Sequence, residues 1–220
     1  MSRETPLLSA VEDDDIESVR KLLADGVDLE DRNAYGQTAL HLAAGFGRVE
    51  IMALLLEHNA DIEAVACYGH RPLMLAGSNR CFWKTDQASE RTVASMLKFN
   101  PQLNAQDRYG WTALHHAAYD GHTRTVERLL FAGADRRVKN RKQEDPLTLA
   151  VKTPQRHPYE DRKTILPSRK EDDSLFDVVM VLYAAEGGRN LHWKRRASLF
   201  RLAEKYRCPE IAALFGQPLP

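Results

Sequence analysis

The stretch Gly36-Gln-Thr-Ala-Leu-His-Leu-Ala-Ala44, followed by Gly45-Phe-Gly47, decides the fold of this chain. Thr38 suits the N-cap of a helix, because its hydroxyl can accept a hydrogen bond from a backbone N–H of the first turn. The leucines and alanines after it predict a short helix with a face of small residues, which the two glycines end. Apolar residues at helical spacing predict a second helix from about Val49. One such pair cannot bury its own apolar face, so copies of it must stack.

A pair made of an apolar residue and an alanine three positions later recurs in register at six places along the chain. The intervals between successive alanines are 33, 33, 41, 33 and 53 residues. They fit a 33-residue unit with 8 additional residues in one copy and 20 in another, and a constant period of this size predicts a stacked repeat architecture. The six pairs are Leu7/Ala10, Leu40/Ala43, Leu73/Ala76, Leu114/Ala117, Leu147/Ala150 and Phe200/Ala203.

The segments GQTALHLAA (36–44), GWTALHHAAYDGH (110–122) and LLFAGAD (129–135) resemble the ankyrin repeat, whose TPLHxA signature is nearly complete at 38–43 and 112–117. The resemblance extends from about Glu4 to Phe215. It implies an all-α solenoid of helix–turn–helix units with short turn or hairpin tips, five repeats and a C-terminal capping unit. We expect one domain, 1–220, with units at about 4–36, 37–69, 70–110, 111–143, 144–188 and 189–216.

The composition is that of a foldable chain, with 43% hydrophobic residues and 31 basic against 31 acidic side chains in 220 residues. The first residues lack the sections of a secretory signal, no apolar run is long enough to span a bilayer, and three distant cysteines suggest neither disulfides nor a metal site. We therefore expect a protein of the cytoplasm, with the nucleus as an alternative, that is neither secreted nor bound to a membrane.

Charge is distributed unevenly along the chain. Residues 1–133 carry 13 basic and 19 acidic side chains, whereas residues 134–220 carry 18 basic and 12 acidic side chains. In a linear stack the two signs would lie at opposite ends. We expect a monomer, with head-to-tail self-association as the alternative.

No pattern in the sequence predicts catalysis, a metal or a cofactor. The resemblance implies that His41 and His115 are structural, each hydrogen-bonding the loop backbone of an adjacent unit. The remaining histidines have no acidic or cysteine partner at a recognisable ligand spacing, and the motifs of hydrolases, kinases and nucleotide-binding folds are missing. We expect a protein that is not an enzyme.

The candidate binding residues are those that the family pattern places on the turn tips and on the outward side of each first helix, which line a concave surface. They are rich in tyrosine, tryptophan and arginine, the residue types enriched at interaction hot spots. A tyrosine before the turn glycine is also common in the family, so packing between neighbouring units is the alternative role. The set is Tyr35, Gln37, Phe46, Tyr68, His70, Arg108, Tyr109, Trp111, Tyr119, Asp120, Arg141 and Lys142. Trp111→Ala is expected to weaken binding and leave thermal unfolding nearly unchanged.

Both additional segments are predicted to separate the first and second helices of their units. The first lies within residues 77–90 and contains Phe82 and Trp83, which either pack on the stack or bind a partner. The second lies within residues 152–173 and carries three prolines and dense charge, as is typical of functional or disordered loops. A basic run at 194–196 precedes Ser198, which is predicted to cap the first helix of the last unit.

The sequence favours a non-catalytic module that binds another protein on its concave face, as an adaptor, a scaffold or an inhibitor. The alternative is a binder of nucleic acid or an anionic surface through the basic C-terminal third. Nucleic acid is the less favoured partner, because no aromatic residues are interleaved on a basic groove.

Overall fold

A computed structural model describes residues 5–78, 85–152, 175–186, 192–205 and 209–216. These ranges contain only helices, turns and irregular segments, with short 3-10 turns at Cys67–Gly69 and Leu97–Phe99. The α-helices within them are α1 (Pro6–Glu12), α2 (Ile16–Ala24), α3 (Ala39–Phe46), α4 (Val49–Glu57), α5 (Pro72–Gly77), α6 (Asp86–Met96), α7 (Ala113–Asp120), α8 (Thr123–Phe131), α9 (Pro146–Lys152), α10 (Leu175–Ala185), α11 (Trp193–Lys205) and α12 (Pro209–Gly216).

The helices form two parallel rows. The odd-numbered helices contact one another in the order α1, α3, α5, α7, α9 and α11, and the even-numbered helices from α2 to α12 do the same. Each helix of the first row also packs on the helix that follows it in the second row. The predicted all-α solenoid of stacked helix pairs is confirmed. The residue boundaries of the six units stay a prediction.

The alanines that define the sequence period are all buried in helices of the first row. Ala43, Ala76, Ala117, Ala150 and Ala203 are each 0% exposed, and Ala10 is 6% exposed. A small side chain here lets the next helix approach closely, whereas added methylene groups would strain a well-packed core. The period that reveals the fold is therefore the spacing of these helix contacts.

The start of α3 has the N-cap predicted from Thr38. The backbone N–H of Thr38 donates to Nδ1 of His41 at 3.2 Å, and the helix has a capping box at this end. Thr112 and His115 repeat the arrangement at the start of α7. Gly47, in a left-handed conformation with φ of 74°, ends α3 as predicted.

Short turns precede the first helices and bond to one another along the stack. The carbonyl oxygen of Tyr109 accepts from the N–H of Arg141 at 2.9 Å, and that of Tyr68 accepts from the N–H of Arg108 at 2.8 Å. Gly110 makes the close approach possible, because its φ is +78° and a Cβ at this position would lie 2.8 Å from the Arg141 nitrogen. Glycine is the residue that adopts this conformation without steric cost.

The two additional segments lie where the sequence predicts, between α5 and α6 and between α9 and α10. The predicted cap at Ser198 is wrong, because α11 already begins at Trp193 and Ser198 is an exposed residue in its middle. The helix extends through the basic run, whose lysine and arginines are favourable in a helix interior. Among the described helices, none is both long and apolar enough to cross a bilayer.

Candidate functional site: an aromatic surface at the turn tips

Three tyrosines project from successive turns of the stack. Tyr35 is 69% exposed, Tyr68 is 54% exposed and Tyr109 is 56% exposed. The rings of Tyr68 and Tyr109 stack, with centroids 6.3 Å apart and planes inclined by 18°. The same tyrosine side chains can therefore pack on the neighbouring unit and remain exposed for binding a partner.

A short polar side chain holds the turns that carry Tyr35 and Tyr109. Oδ1 of Asn33 accepts from the N–H groups of Tyr35 and Gln37, and Oδ1 of Asp107 accepts from those of Tyr109 and Trp111, at 2.8–3.0 Å. Such bonds from a short polar side chain to the backbone two and four residues later stabilise a tight turn. Tyr35 and Tyr109 are thus presented by internally bonded turns, whereas the turn of Tyr68 has Ala66 at the equivalent position and is held by backbone hydrogen bonds.

Tyr68 occupies a backbone conformation that is unfavourable for a tyrosine. Its φ is 62°, in the left-handed region, and it stands directly before Gly69, whose φ is +81°. The left-handed conformation costs a residue with a Cβ about 1–2 kcal/mol. Strain of this kind persists where the surroundings impose it, and it concentrates at functional sites.

A groove of about 290 Å³ lies between the turns that carry Tyr35 and Tyr68, which are the first and second of the row, and is lined by Tyr35, Phe46 and Tyr68 among others. Phe46 is partly buried and also packs on the core. Gln37 lines the same groove, and its side chain accepts a hydrogen bond from Asn33. The structure therefore brings together candidate residues from two turns and from α3.

The candidate residues of the fourth unit pack more tightly than predicted. The Trp111 ring lies against His116 and Tyr119, with centroid distances of 5.1 and 5.2 Å, and it is only partly exposed. Truncation of Trp111 would remove these contacts, so we now expect it to lower stability as well as binding. Tyr119 and Asp120 are also partly exposed, at the C-terminal end of α7.

Basic side chains lie beside the tyrosines. Arg108, Arg141 and Lys142 are exposed at the third and fourth turns of the row, as predicted from the sequence. Phe82 and Trp83 lie outside the described residues, as do residues 153–174, so the predicted roles of the two additional segments stay predictions.

Asp86, the first residue of α6, packs on the next unit of the stack. Its carboxylate accepts from the backbone N–H groups of Arg124 and Thr125 at the start of α8.

His70 differs from its prediction as a surface residue, because it is only 4% exposed. Its ring faces Asp107, with 3.7 Å between Nε2 and the carboxylate oxygen Oδ2, and His116 approaches the same oxygen to 3.2 Å. Sequence reasoning did not find this cluster, since its members come from three separate segments.

His41 and His115 have the structural role that the resemblance implies. Nδ1 of each accepts from the backbone of its own capping threonine, so Nε2 carries the proton and donates to the next unit: to the carbonyl of His70 at 3.1 Å and to that of Glu144 at 3.1 Å. Burial lowers the pKa of each ring from 6.5 to about 4. Both imidazoles are therefore neutral connectors between units.

Comparison with known families agrees with this architecture. Residues 7–85 match the model of ankyrin repeats in three copies, and residues 81–130 match that of ankyrin repeats in many copies. Together the two matches span more than half of the chain, which belongs to the ankyrin-repeat family. Ankyrin repeats are generally non-catalytic modules of protein–protein interaction.

The chain is similar to parts of several larger proteins. It is 40% identical over 125 residues to the B-cell lymphoma 3 protein homolog of Mus musculus, covering 56% of this chain and 26% of the relative. It is 32% identical over 142 residues to the human SH3 and multiple ankyrin repeat domains protein 2, covering 62% of this chain and 7% of the relative. It is 30% identical over 135 residues to the neurogenic locus notch homolog protein 1 of Xenopus tropicalis, covering 61% and 5%. The match thus spans about a quarter or less of each relative.

Proposed function

We propose that the chain is a protein-binding module that holds its partner on the aromatic surface formed by Tyr35, Tyr68 and Tyr109 and the basic side chains beside them. The observation that carries the proposal is the exposed, stacked pair of Tyr68 and Tyr109 on adjacent turns. A tyrosine supplies a large contact area and a hydroxyl at a low cost in conformational entropy, and tyrosine and arginine are frequent hot-spot residues. By binding its partner in this way, the chain would recruit, mask or inhibit that protein.

Rigidity of the surface supports the proposal. The turns that carry Tyr68 and Tyr109 are bonded to their neighbours through the backbone, and the Asx-type bonds of Asp107 hold the second of them internally. A preorganised surface loses little freedom when a partner binds, so more of the contact energy appears as affinity. The strain at Tyr68 points the same way, because an asparagine or glycine at this position would fold more easily.

The nucleic-acid alternative has less support. Part of the basic charge in the C-terminal third pairs within the stack: Arg195 lies against Asp145 and, at 3.6 Å, against Glu186, while Lys152 pairs with Glu144. Cations that are engaged in this way are less available to phosphate groups. The test is salt dependence, since phosphate-driven affinity falls by orders of magnitude between low and moderate salt.

Affinity purification with quantitative mass spectrometry tests the proposal. We expect Tyr68→Asn with Tyr109→Ala to reduce recovery of the partner by at least tenfold, which corresponds to a loss of about 1.4 kcal/mol. Asparagine tolerates the left-handed conformation, so this double variant should fold as well as the original chain.

Phe131→Ala is the matched control. Phe131 is 91% exposed, at the end of α8 in the second row. Its substitution removes an exposed aromatic ring that is not part of the aromatic surface. Partner recovery should be unchanged by this substitution. Equal losses in the control and the double variant, or recovery that depends on salt and not on the tyrosines, would contradict the proposal.

A further inference from the structure

Two histidines and one aspartate meet beneath the aromatic surface, at the junction between the third and fourth units. His70 precedes α5, Asp107 lies in the turn before α7, and His116 is in α7 itself. One ring nitrogen of each histidine and one carboxylate oxygen lie within 4.8 Å of one another, and all three side chains are buried. Imidazole nitrogens and a carboxylate oxygen are a ligand set that suits zinc and other divalent transition metals.

The distances within the cluster fit a tetrahedral ion. With metal–ligand bonds of about 2.0–2.1 Å, neighbouring ligands of a tetrahedral zinc lie about 3.3–3.4 Å apart. Oδ2 of Asp107 lies 3.2 Å from Nε2 of His116 and 3.7 Å from Nε2 of His70. The ring nitrogens of the two histidines lie within 4.8 Å of each other, so a tetrahedral ion requires them to approach by at most about 1.4 Å.

The comparison of equivalent turns gives an independent argument. Asn33, Asp107 and Asn140 each use one side-chain oxygen to accept from two backbone N–H groups of their own turn. The turn therefore needs only the one oxygen that asparagine supplies. At Asp107 the second oxygen is instead directed at His116 and His70. A carboxylate at this position keeps both bonds to the turn backbone and offers a metal ligand in place of the Nδ2 donor that Asn33 and Asn140 use within their turns.

The surroundings hold the ligands in place. Oδ1 of Asp107 is fixed by the N–H groups of Tyr109 and Trp111, and the backbone carbonyl of His70 accepts from Nε2 of His41. Trp111 packs on the ring of His116 at 5.1 Å between centroids. Fixed orientation of the ligands by such outer contacts is a general property of metal sites and raises their affinity.

We propose that His70, Asp107 and His116 bind one divalent transition-metal ion, with Zn²⁺ as the best fit and water as the fourth ligand, and that the ion fastens the third unit to the fourth. The site is separate from the proposed partner surface and does not depend on it. Because the ligands come from both units, the ion binds the folded stack and not the unfolded chain, so it should stabilise the fold.

Titration of the metal-free full-length chain tests this inference. Co²⁺ should bind with a stoichiometry of one and give the visible absorption of a tetrahedral ion, and Zn²⁺ should displace it. Zn²⁺ should also raise the midpoint of thermal unfolding. Since even the loss of an outer-shell contact weakens metal binding by about 10–100-fold, His70→Ala and His116→Ala should each weaken it by at least about 100-fold.

Asp107→Asn is the variant that separates metal binding from folding. Asparagine preserves the turn, as Asn33 and Asn140 show, and removes the charged ligand oxygen. It should retain the unfolding midpoint of the metal-free chain and lose the increase on addition of Zn²⁺. His58→Ala, at an exposed histidine, is the control and should bind as before. The inference is overturned if no saturable binding occurs, or if the binding persists in His116→Ala and Asp107→Asn.

Discussion

Acidification should destabilise the stack through the two buried connectors, His41 and His115. Their pKa is about 4 in the folded chain and 6.5 as the ordinary value. Between these values the unfolded chain binds protons that the folded chain does not, so stability is present above pH 6.5 and is lost as the pH falls toward 4. Linkage gives a loss of about 2 kcal/mol per histidine between pH 7 and pH 5, and about 4 kcal/mol for both.

Urea denaturation followed by circular dichroism at pH 7 and pH 5 measures this loss. The range ends at pH 5 so that Asp107 and Asp145 stay ionised throughout. Burial raises the pKa of each carboxyl group, but hydrogen bonds lower it by more, so both pKa values lie below 3.8. Glu186 acts in the opposite direction, because burial raises its pKa and it therefore favours the folded chain in acid.

Substitution at the connectors isolates their share. His41→Gln cannot titrate, so it should reduce the difference between pH 7 and pH 5 by about 2 kcal/mol, whatever its stability at pH 7. His58→Gln, at an exposed histidine, should leave the difference unchanged. An unaltered pH dependence in His41→Gln would refute the assignment of this histidine as a neutral connector.

Three further predictions concern stability, each measured as the free energy of unfolding in urea. Asp86→Ala removes the cap that one unit gives to the next and should cost about 2–3 kcal/mol, whereas Glu90→Ala, which breaks an exposed pair, should cost less than about 1 kcal/mol; equal costs would contradict the capping role. Gln143 has φ of 61°, so Gln143→Gly should stabilise the fold by up to about 1 kcal/mol, while the reciprocal Gly110→Gln should destabilise it by more than about 2 kcal/mol. A destabilised Gln143→Gly variant or a stabilised Gly110→Gln variant would refute the strain argument. Trp111→Ala should cost about 2 kcal/mol or more, and an unchanged stability would restore it as a pure binding residue.

Much of the fold could be predicted because it depends on local rules that recur. The threonine cap, the small-residue helix and the terminating glycine are all visible within 36–47, and the recurrence of this pattern along the chain gives the period of 33 residues. Ser198 was assigned wrongly by the same kind of local rule. A serine after basic residues suits a cap, but the helix propensity of the residues before it extends α11 back to Trp193.

The site was predictable only in part, because exposure depends on the register of neighbouring units. Tyr35, Tyr68 and Tyr109 lie at the tips where the family pattern places them. The burial of His70 depends on Asp107 and His116, which are 37 and 46 residues away, and His116 belongs to the next unit. No spacing rule within one unit could reveal such a contact.

Site-specific photo-crosslinking inside cells is the most direct test of the proposed surface. A photoreactive phenylalanine analogue would replace Tyr68, Tyr109 or, as the control, Phe131, each of which is an exposed aromatic side chain. We predict light-dependent adducts with the same protein at positions 68 and 109 and none at position 131. Adducts at 131 alone, or equal adducts at all three positions, would contradict binding on the aromatic surface.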